Sequence, residues 1–349
     1  MRPDRGRLLL NRLRASWAAG RPIVRSGDGT DLSWVQGPGL CAVLGGSNSP
    51  PDAAAWESFA LSERQLADFH ERGYLAGVPL LSAVECDALA AEVQRLLVPE
   101  HPAKDLWYAY HPMVASGAWR ISFSFHDLLW SPRFRVAAYQ LLGGPARFLH
   151  DQIFCKPPAR QGPSWFGFHQ DFSYWSWTSP VEGAGGRSCL QHLTCWVALD
   201  DVTVANGCLQ YVPGSHRWGL LPSPPAGSPP ALDSVREVLP LERRRALDGA
   251  ERVELKKGFA CFHHPLTLHG SDSNTTEAPR RAAVMNCIRD GVTSNCGRQP
   301  ASLGSFPFIP QGRPMGRSGH ENDRMYPLLL GDNGGGVAAT AAVGPGVAT

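Results

Sequence analysis

No stretch of this chain approaches the ~20 consecutive apolar residues that a membrane-spanning helix needs, so no transmembrane span is expected. Charge of one sign is missing too. The 33 Lys and Arg against 31 Asp and Glu leave a formal net charge of +2, no footprint for nucleic acid or anionic lipid. The nine cysteines (41, 86, 155, 189, 195, 208, 261, 287, 296) include no C-x-x-C pair and are odd in number, which argues against a disulfide framework or a zinc ribbon. Cys195 lies inside the apolar run Leu193 to Val197, where a free thiol behaves as a small hydrophobe. A reducing, cytoplasmic compartment is the expectation. Neither G-x-S-x-G, nor a P-loop, nor a strand-associated G-x-G-x-x-G occurs, so a serine hydrolase and a nucleotide-binding enzyme lack their motifs.

What is present is turn chemistry. With 37 Gly and 30 Pro in 349 residues, the chain reads as β-rich with long loops, large enough to bury a sizeable core. Residues 1–57 are rich in Gly, Pro, Ser and Arg without a sustained period, and are read as an appended segment. Seven Arg and one acid between Met1 and Gly27 fit either a disordered basic arm or a mitochondrial or plastid transit peptide.

The organised domain is expected over 58–330. Ser62 with Gln65 and Ser82 with Glu85 form capping-box patterns ahead of apolar positions, which predict two helices. From about Arg147 onward come short β-prone runs, namely Phe148 to Lys156, Leu190 to Leu199, Cys208 to Val212, Phe259 to His264 and Ala282 to Ile288. Their spacing predicts an antiparallel sandwich or barrel. Between them, 220–255 reads as an inserted Pro-rich loop with a short helix, either over the site or a solvated excursion, and 331–349 as a flexible Gly/Ala-rich tail.

In a strand, residues i and i+2 share a face, so His169 and Asp171 can meet one metal ion while Gln170 points away. His269 follows 100 residues later, a separation that a β-barrel closes. Two imidazoles and a carboxylate form a facial triad that suits iron(II) and leaves positions open, whereas a structural zinc site wants four protein ligands. Arg280, eleven residues after His269, offers a guanidinium fork for the far carboxylate of a dicarboxylate whose near end chelates the metal. Arg281 would point the other way, as a surface cation.

The ordered set Lys156-Pro157-Pro158, His169-Gln170-Asp171 with Tyr174, Asn206-Gly207-Cys208-Leu209, Val212-Pro213-Gly214-Ser215-His216, and Phe262-His263-His264-Pro265 leading to His269-Gly270-Ser271 and Arg280 resembles the phytanoyl-CoA dioxygenase family. The resemblance spans about 150 to 290, with a similar helical lead-in from Leu61. It implies a mainly β fold with flanking helices around a double-stranded β-helix (jelly-roll, cupin-like) core, and an iron(II)- and 2-oxoglutarate-dependent dioxygenase that ascorbate would support. On matching positions it implies iron ligation by His169, Asp171 and His269, and 2-oxoglutarate contacts from Lys156, Trp196, Ser271 and Arg280. It further implies a structural role for His216 and a supporting role for His264 behind the ligands. Phe259 departs from the pattern, which has an aspartate there. Related halogenases leave the carboxylate position vacant for halide; Asp171 fills it, so hydroxylation is expected.

The substrate is expected to be a small molecule or an acyl group. Trp165, Phe166, Phe168, Phe172, Tyr174, Trp175 and Trp177 crowd the first ligands and form either a pocket wall or ordinary core. Arg243 to Arg245 would suit an acyl-CoA, or are simply solvated. Two rival functions stand: a catalytically silent cupin-like regulatory protein that kept its metal for stability, and a hydrolase or isomerase using zinc or manganese in the same ligands. Oligomeric state is not legible.

Overall fold

Both serine caps form in the computed structural model. Ser62 accepts from the Gln65 amide and Ser82 from the Glu85 amide, and each partner side chain reaches back to the cap, which satisfies donors that a helix start leaves open. The structure describes residues 31–34, 37–41, 43–44, 53–98, 109–111, 113–175, 190–222, 234–295, 309, 311–316 and 324–331.

Among these, the helices are α1 (Ala53–Phe59), α2 (Glu63–Arg72), α3 (Ala83–Leu96), α4 (Phe123–Leu128), α5 (Pro132–Leu142), α6 (Phe172–Trp175) and α7 (Leu241–Asp248). The strands are β1 (Tyr74–Pro79), β2 (Ala109–His111), β3 (Val114–Ser116), β4 (Ala146–Lys156), β5 (Phe166–His169), β6 (His192–Ala198), β7 (Leu209–Tyr211), β8 (Glu251–Val253), β9 (Phe259–His263), β10 (His269–Ser271), β11 (Arg280–Arg289) and β12 (Leu328–Leu330). The larger sheet runs β1-β9-β6-β11-β4-β3-β2 with β12 also on β4, and the smaller runs β5-β10-β7-β8. Every pairing is antiparallel. This is the expected double-stranded β-helix with flanking helices.

Alternation along β11 divides the core. Ala283, Met285 and Cys287 pack outward with Leu89 and Val93 of α3 and Phe134 and Leu141 of α5. Ala282 and Val284 face inward with Trp196, Leu209 and Tyr211. The outer cluster anchors the helices on the sheet, and the inner one floors the cavity.

The five expected strands are present with ends shifted by a residue or two, and the structure adds several elements. β1, between the two capped helices, pairs with β9. Helix α5 starts with Pro132 and ends at Gly143 in a left-handed conformation, a legitimate proline-start, glycine-stop pattern. The 220–255 segment is not all insertion, because β8 pairs with β7 in the smaller sheet; residues 223–233 lie outside the described set. The 1–57 segment is not merely appended. Asp31 pairs with Arg120 and Arg324, and Asp127 Oδ2 accepts from the Gly39, Leu40 and Cys41 amides at 2.7–3.0 Å. The basic stretch before residue 31 and the 332–349 tail fall outside the described residues. No described helix is long and apolar enough to cross a membrane.

Candidate active site

His169 and His269 stand opposite each other in the β5–β10 pairing. Asp171 lies in the turn after β5, not on the strand as expected, and one ligand atom from each of the three lies within 4.8 Å of the others. Asp171 Oδ1 is 3.5 Å from His169 Nε2 and 3.6 Å from His269 Nε2. Close approach of the two strands depends on Gly270, where a Cβ would stand 2.9 Å from the Phe166 carbonyl. Gln170 points away as expected, donating to the Gly219 and Leu266 carbonyls and accepting from the Leu221 amide.

Each ligand is held from behind. His169 Nδ1 lies 2.8 Å from the Gly167 carbonyl and His269 Nδ1 2.9 Å from the Thr267 carbonyl. Carbonyls only accept, so Nδ1 carries the proton and Nε2 offers its lone pair to a metal. Asp171 Oδ2 receives Thr194 Oγ1 at 2.7 Å and His263 Nε2 at 2.9 Å, leaving Oδ1 toward the metal position. Behind His263 the Tyr211 hydroxyl lies 2.9 Å from Nδ1. Burial holds the Tyr211 proton on by raising its pKa well above the usual phenol value, so the chain runs from Tyr211 through His263 to the carboxylate.

The electrostatics favour a cation here. Burial alone would raise the Asp171 pKa, but His269, His169 and His263 hold it well below the usual carboxylate range. Burial and the neighbouring His169 push His269 down to about 3. Burial also opposes charge on His169, yet the Asp171 carboxylate raises it overall. A buried carboxylate flanked by imidazole lone pairs draws either a proton or a metal ion.

A cavity of about 370 Å³ opens from these ligands and is walled by Gln152, Phe154, Tyr174, Trp196, Ser271 and Arg280, among others. Arg280 is 1% exposed. Its Nη2 donates to the Gly207 carbonyl at 3.1 Å, its guanidinium carbon lies 5.1 Å over the Trp196 ring, and Nε and Nη1 have no hydrogen-bond partner among the described residues. Burial drops its pKa to about 10. A fork with two idle donors on a cavity wall fits a carboxylate. Ser271 and Trp196 share that wall, and Arg281 turns outward to Asp200.

Lys156, expected among the 2-oxoglutarate contacts, lies behind the wall and does not line the cavity. It is fully buried, and its amine donates to the carbonyls of Ser164, Asp272 and Ser271 at 2.5, 2.5 and 3.5 Å. Burial and Arg280 push its pKa down to about 6, whereas three carbonyl acceptors favour the ammonium form; we take the ammonium as the bound species. His264 does not support the ligands: its Nδ1 accepts from the Leu266 amide and its ring meets His216. Its neighbour His263 holds that place, because β9 alternation turns position 263 inward. His216 bonds the His70 carbonyl, a structural role.

Of the aromatic crowd, Phe166 and Tyr174 line the cavity. Phe168 and Phe172 pack in the core, and Trp177 lies outside the described residues. Arg243 stacks over Trp218, away from the cavity. The sequence assigns no role to Thr194, Gln152 or Tyr211, and it marks His263 only as part of the run Phe262-His263-His264-Pro265.

Comparison with known proteins agrees with this geometry. Residues 69–282 match the family described as phytanoyl-CoA dioxygenase (PhyH). The chain is similar to the ectoine dioxygenase of Bordetella parapertussis, 30% identical over 240 residues covering 65% of this chain and 75% of that protein. It is 32% identical over 160 residues to a probable phytanoyl-CoA dioxygenase of Caenorhabditis elegans, covering 44% and 46%. Among solved structures, the epimerase SnoN in complex with Fe3+, alpha ketoglutarate and nogalamycin RO superposes with a TM-score of 0.56 at 26% identity, covering 80% of this chain and all of that one.

Proposed function

The chain belongs to the phytanoyl-CoA dioxygenase family, and from that membership we propose that it is an iron(II)- and 2-oxoglutarate-dependent dioxygenase that hydroxylates a small-molecule or acyl substrate. His169, Asp171 and His269 would hold the iron, and Arg280, with Trp196 and Ser271 beside it, the far carboxylate of 2-oxoglutarate. The carrying observation is Arg280: a buried guanidinium with two idle donors opposite a two-histidine, one-carboxylate cluster. Metal storage or metal-dependent stability gives no reason to keep that charge unpaired, since an uncompensated buried charge costs several kcal/mol.

When bound, iron and 2-oxoglutarate supply the oxidising power, with succinate and carbon dioxide as by-products and ascorbate keeping the metal ferrous. The chain's own residues do the rest. Thr194 and His263 keep Asp171 Oδ2 occupied, so Oδ1 would be the oxygen offered to the metal. The Gly167 and Thr267 carbonyls fix both imidazole tautomers. Arg280, stacked on Trp196, sets the direction in which a dicarboxylate enters, and Phe154, Phe166 and Val284 keep the wall beside it apolar.

The test is succinate release from purified protein supplied with iron(II), 2-oxoglutarate and ascorbate, aerobically and anaerobically, across a small-molecule library. Oxygen-dependent succinate that selected compounds raise above the uncoupled background is expected, and Asp171→Ala should abolish the stimulated part. Undiminished stimulation in that variant, or a wild-type protein that binds no 2-oxoglutarate, would refute the assignment.

A further inference from the structure

Gln152 is the carboxamide on the cavity wall, and its polarity toward the cavity is set from behind. It stands on β4 in register with Val284, which is in turn in register with Trp196, beside the arginine end of the pocket. Thr194 Oγ1 lies 2.7 Å from Asp171 Oδ2 and 3.0 Å from one end of the Asn286 carboxamide. The other end of Asn286 lies 3.2 Å from the Gln152 carboxamide and 3.3 Å from His150 Nδ1. His150 Nδ1 is also 3.4 Å from the Asp151 carbonyl.

A threonine hydroxyl has one proton. Its shorter contact, 2.7 Å against 3.0 Å, is to Asp171 Oδ2, so the proton goes there, and the Asn286 atom facing Thr194 must donate. With Asn286 Oδ1 toward Thr194, its Nδ2 faces Gln152 Oε1 and His150 Nδ1. That arrangement sets two oxygens together with no proton between them. Oxygen and nitrogen of a carboxamide are told apart by their partners, and half a turn exchanges them without changing the outline.

With Asn286 turned, its NH2 donates to Thr194 and its oxygen faces His150 and Gln152. His150 agrees independently: Nδ1 also faces a backbone carbonyl, so it carries a proton and needs an acceptor on Asn286. Gln152 must then donate its NH2 to the Asn286 oxygen, and its own carbonyl oxygen turns into the cavity.

We propose that Gln152 is a specificity-determining residue, presenting a carbonyl oxygen that selects substrates with an N–H or O–H donor near the C–H bond to be oxidised. This rests on the oxygenase reading above. The cosubstrate, with two carboxylates and a ketone, offers only acceptors, so a carbonyl at this position has no use for it and is left for the substrate. An outward NH2 would instead serve a carboxylate of 2-oxoglutarate. The two orientations therefore assign the residue to different ligands.

Neutron diffraction from deuterium-exchanged crystals loaded with nickel(II) reads the orientation directly. The expected map places both Gln152 deuterons toward Asn286 and oxygen toward the cavity; deuterons pointing into the cavity overturn the proposal. The second measurement follows succinate release with small secondary amides and alcohols, each paired with its N- or O-methylated counterpart, which lacks the donor. Among pairs that stimulate release, the donor-bearing member should be preferred by about tenfold, as for one lost hydrogen bond, and Gln152→Met should bring the members to near parity. Equal stimulation by both members in the wild type, or a preference that survives Gln152→Met, overturns it. Failure to bind 2-oxoglutarate would sink the oxygenase reading instead, with the neutron map still deciding the orientation.

Discussion

Two buried cations occupy one register pair of β4 and β11, Lys156 opposite Arg280, and the protein treats them in opposite ways. Behind the cavity wall, three backbone carbonyls receive the Lys156 amine. On the cavity side, Arg280 has one carbonyl and an aromatic face, with two donors idle. Burial is nearly equal, 0% and 1%, so exposure does not explain the difference. The lysine closes structure: it ties the strand end of β4 to the Ser164 loop and the turn after β10. The arginine leaves a charge unfinished, which a fold tolerates only where a ligand finishes it.

The sharpest way to break this contrast is Arg280→Met. Without the fork, 2-oxoglutarate affinity should fall by about thirtyfold or more, the ~2–5 kcal/mol typical of removing one partner from a buried charge pair. The ligand-free variant should meanwhile be as stable as wild type or better, by ~1–3 kcal/mol, since an unpaired buried charge has been replaced by an apolar chain. Calorimetric titration and urea unfolding check the two halves. A destabilised apo-variant would mean that Arg280 is structural after all.

Lys156→Met should do the reverse. Stranding three carbonyls costs ~3 kcal/mol of folding stability, seen as a lower urea midpoint. Adding 2-oxoglutarate to the nickel(II)-loaded protein should still raise the melting temperature of this variant, by the linkage that stabilises any liganded state, and should raise that of nickel(II)-loaded Arg280→Met far less at the same concentration. An unchanged midpoint with lost ligand response would return Lys156 to the ligand site.

These two residues also mark what a sequence makes legible. The pairing of His169 with Asp171 at one metal position is legible, although Asp171 reaches it from the turn after β5 and not by strand alternation; the helix starts follow from local capping chemistry, and the convergence with His269 follows from family resemblance together with a barrel's ability to close long separations. Lys156 shares the resemblance yet turns its amine away, because the carbonyls that capture it come from residues 164, 271 and 272, whose proximity only the tertiary fold creates. His263 and His264 are adjacent and identical as letters. Which one supports the carboxylate depends on β9 register with β1 and β6. Helix α5 has a local signal too, in Pro132 at its start and Gly143 at its end, weaker than the β patterns around it.

The contrast extends to the metal end, where the carboxylate is saturated by the protein itself. His263→Leu removes one of two donors to Asp171 Oδ2 and leaves the Tyr211 hydroxyl without its acceptor. Affinity for cobalt(II) should drop ten- to a hundredfold, the usual range for losing a group that orients a ligand, while His263→Gln, which keeps an N–H, recovers part of it. Equal losses in both variants would point to packing rather than to the hydrogen bond.

The smallest effect belongs to Thr194→Val, which keeps shape and removes only the hydroxyl. One donor to a carboxylate oxygen that retains another contributes ~1 kcal/mol, so cobalt(II) affinity should fall about fivefold. Because Thr194 and His263 share the same oxygen, the two losses are not independent. With either donor present Oδ2 stays occupied, and with neither it is free to turn toward the metal and make the carboxylate bidentate. The double variant should therefore change the visible spectrum of bound cobalt(II) in a way that neither single variant does, by adding an oxygen ligand. If its spectrum matches the wild type, the orientation of Asp171 is fixed by its backbone in the turn after β5, and the two donors contribute affinity without geometry.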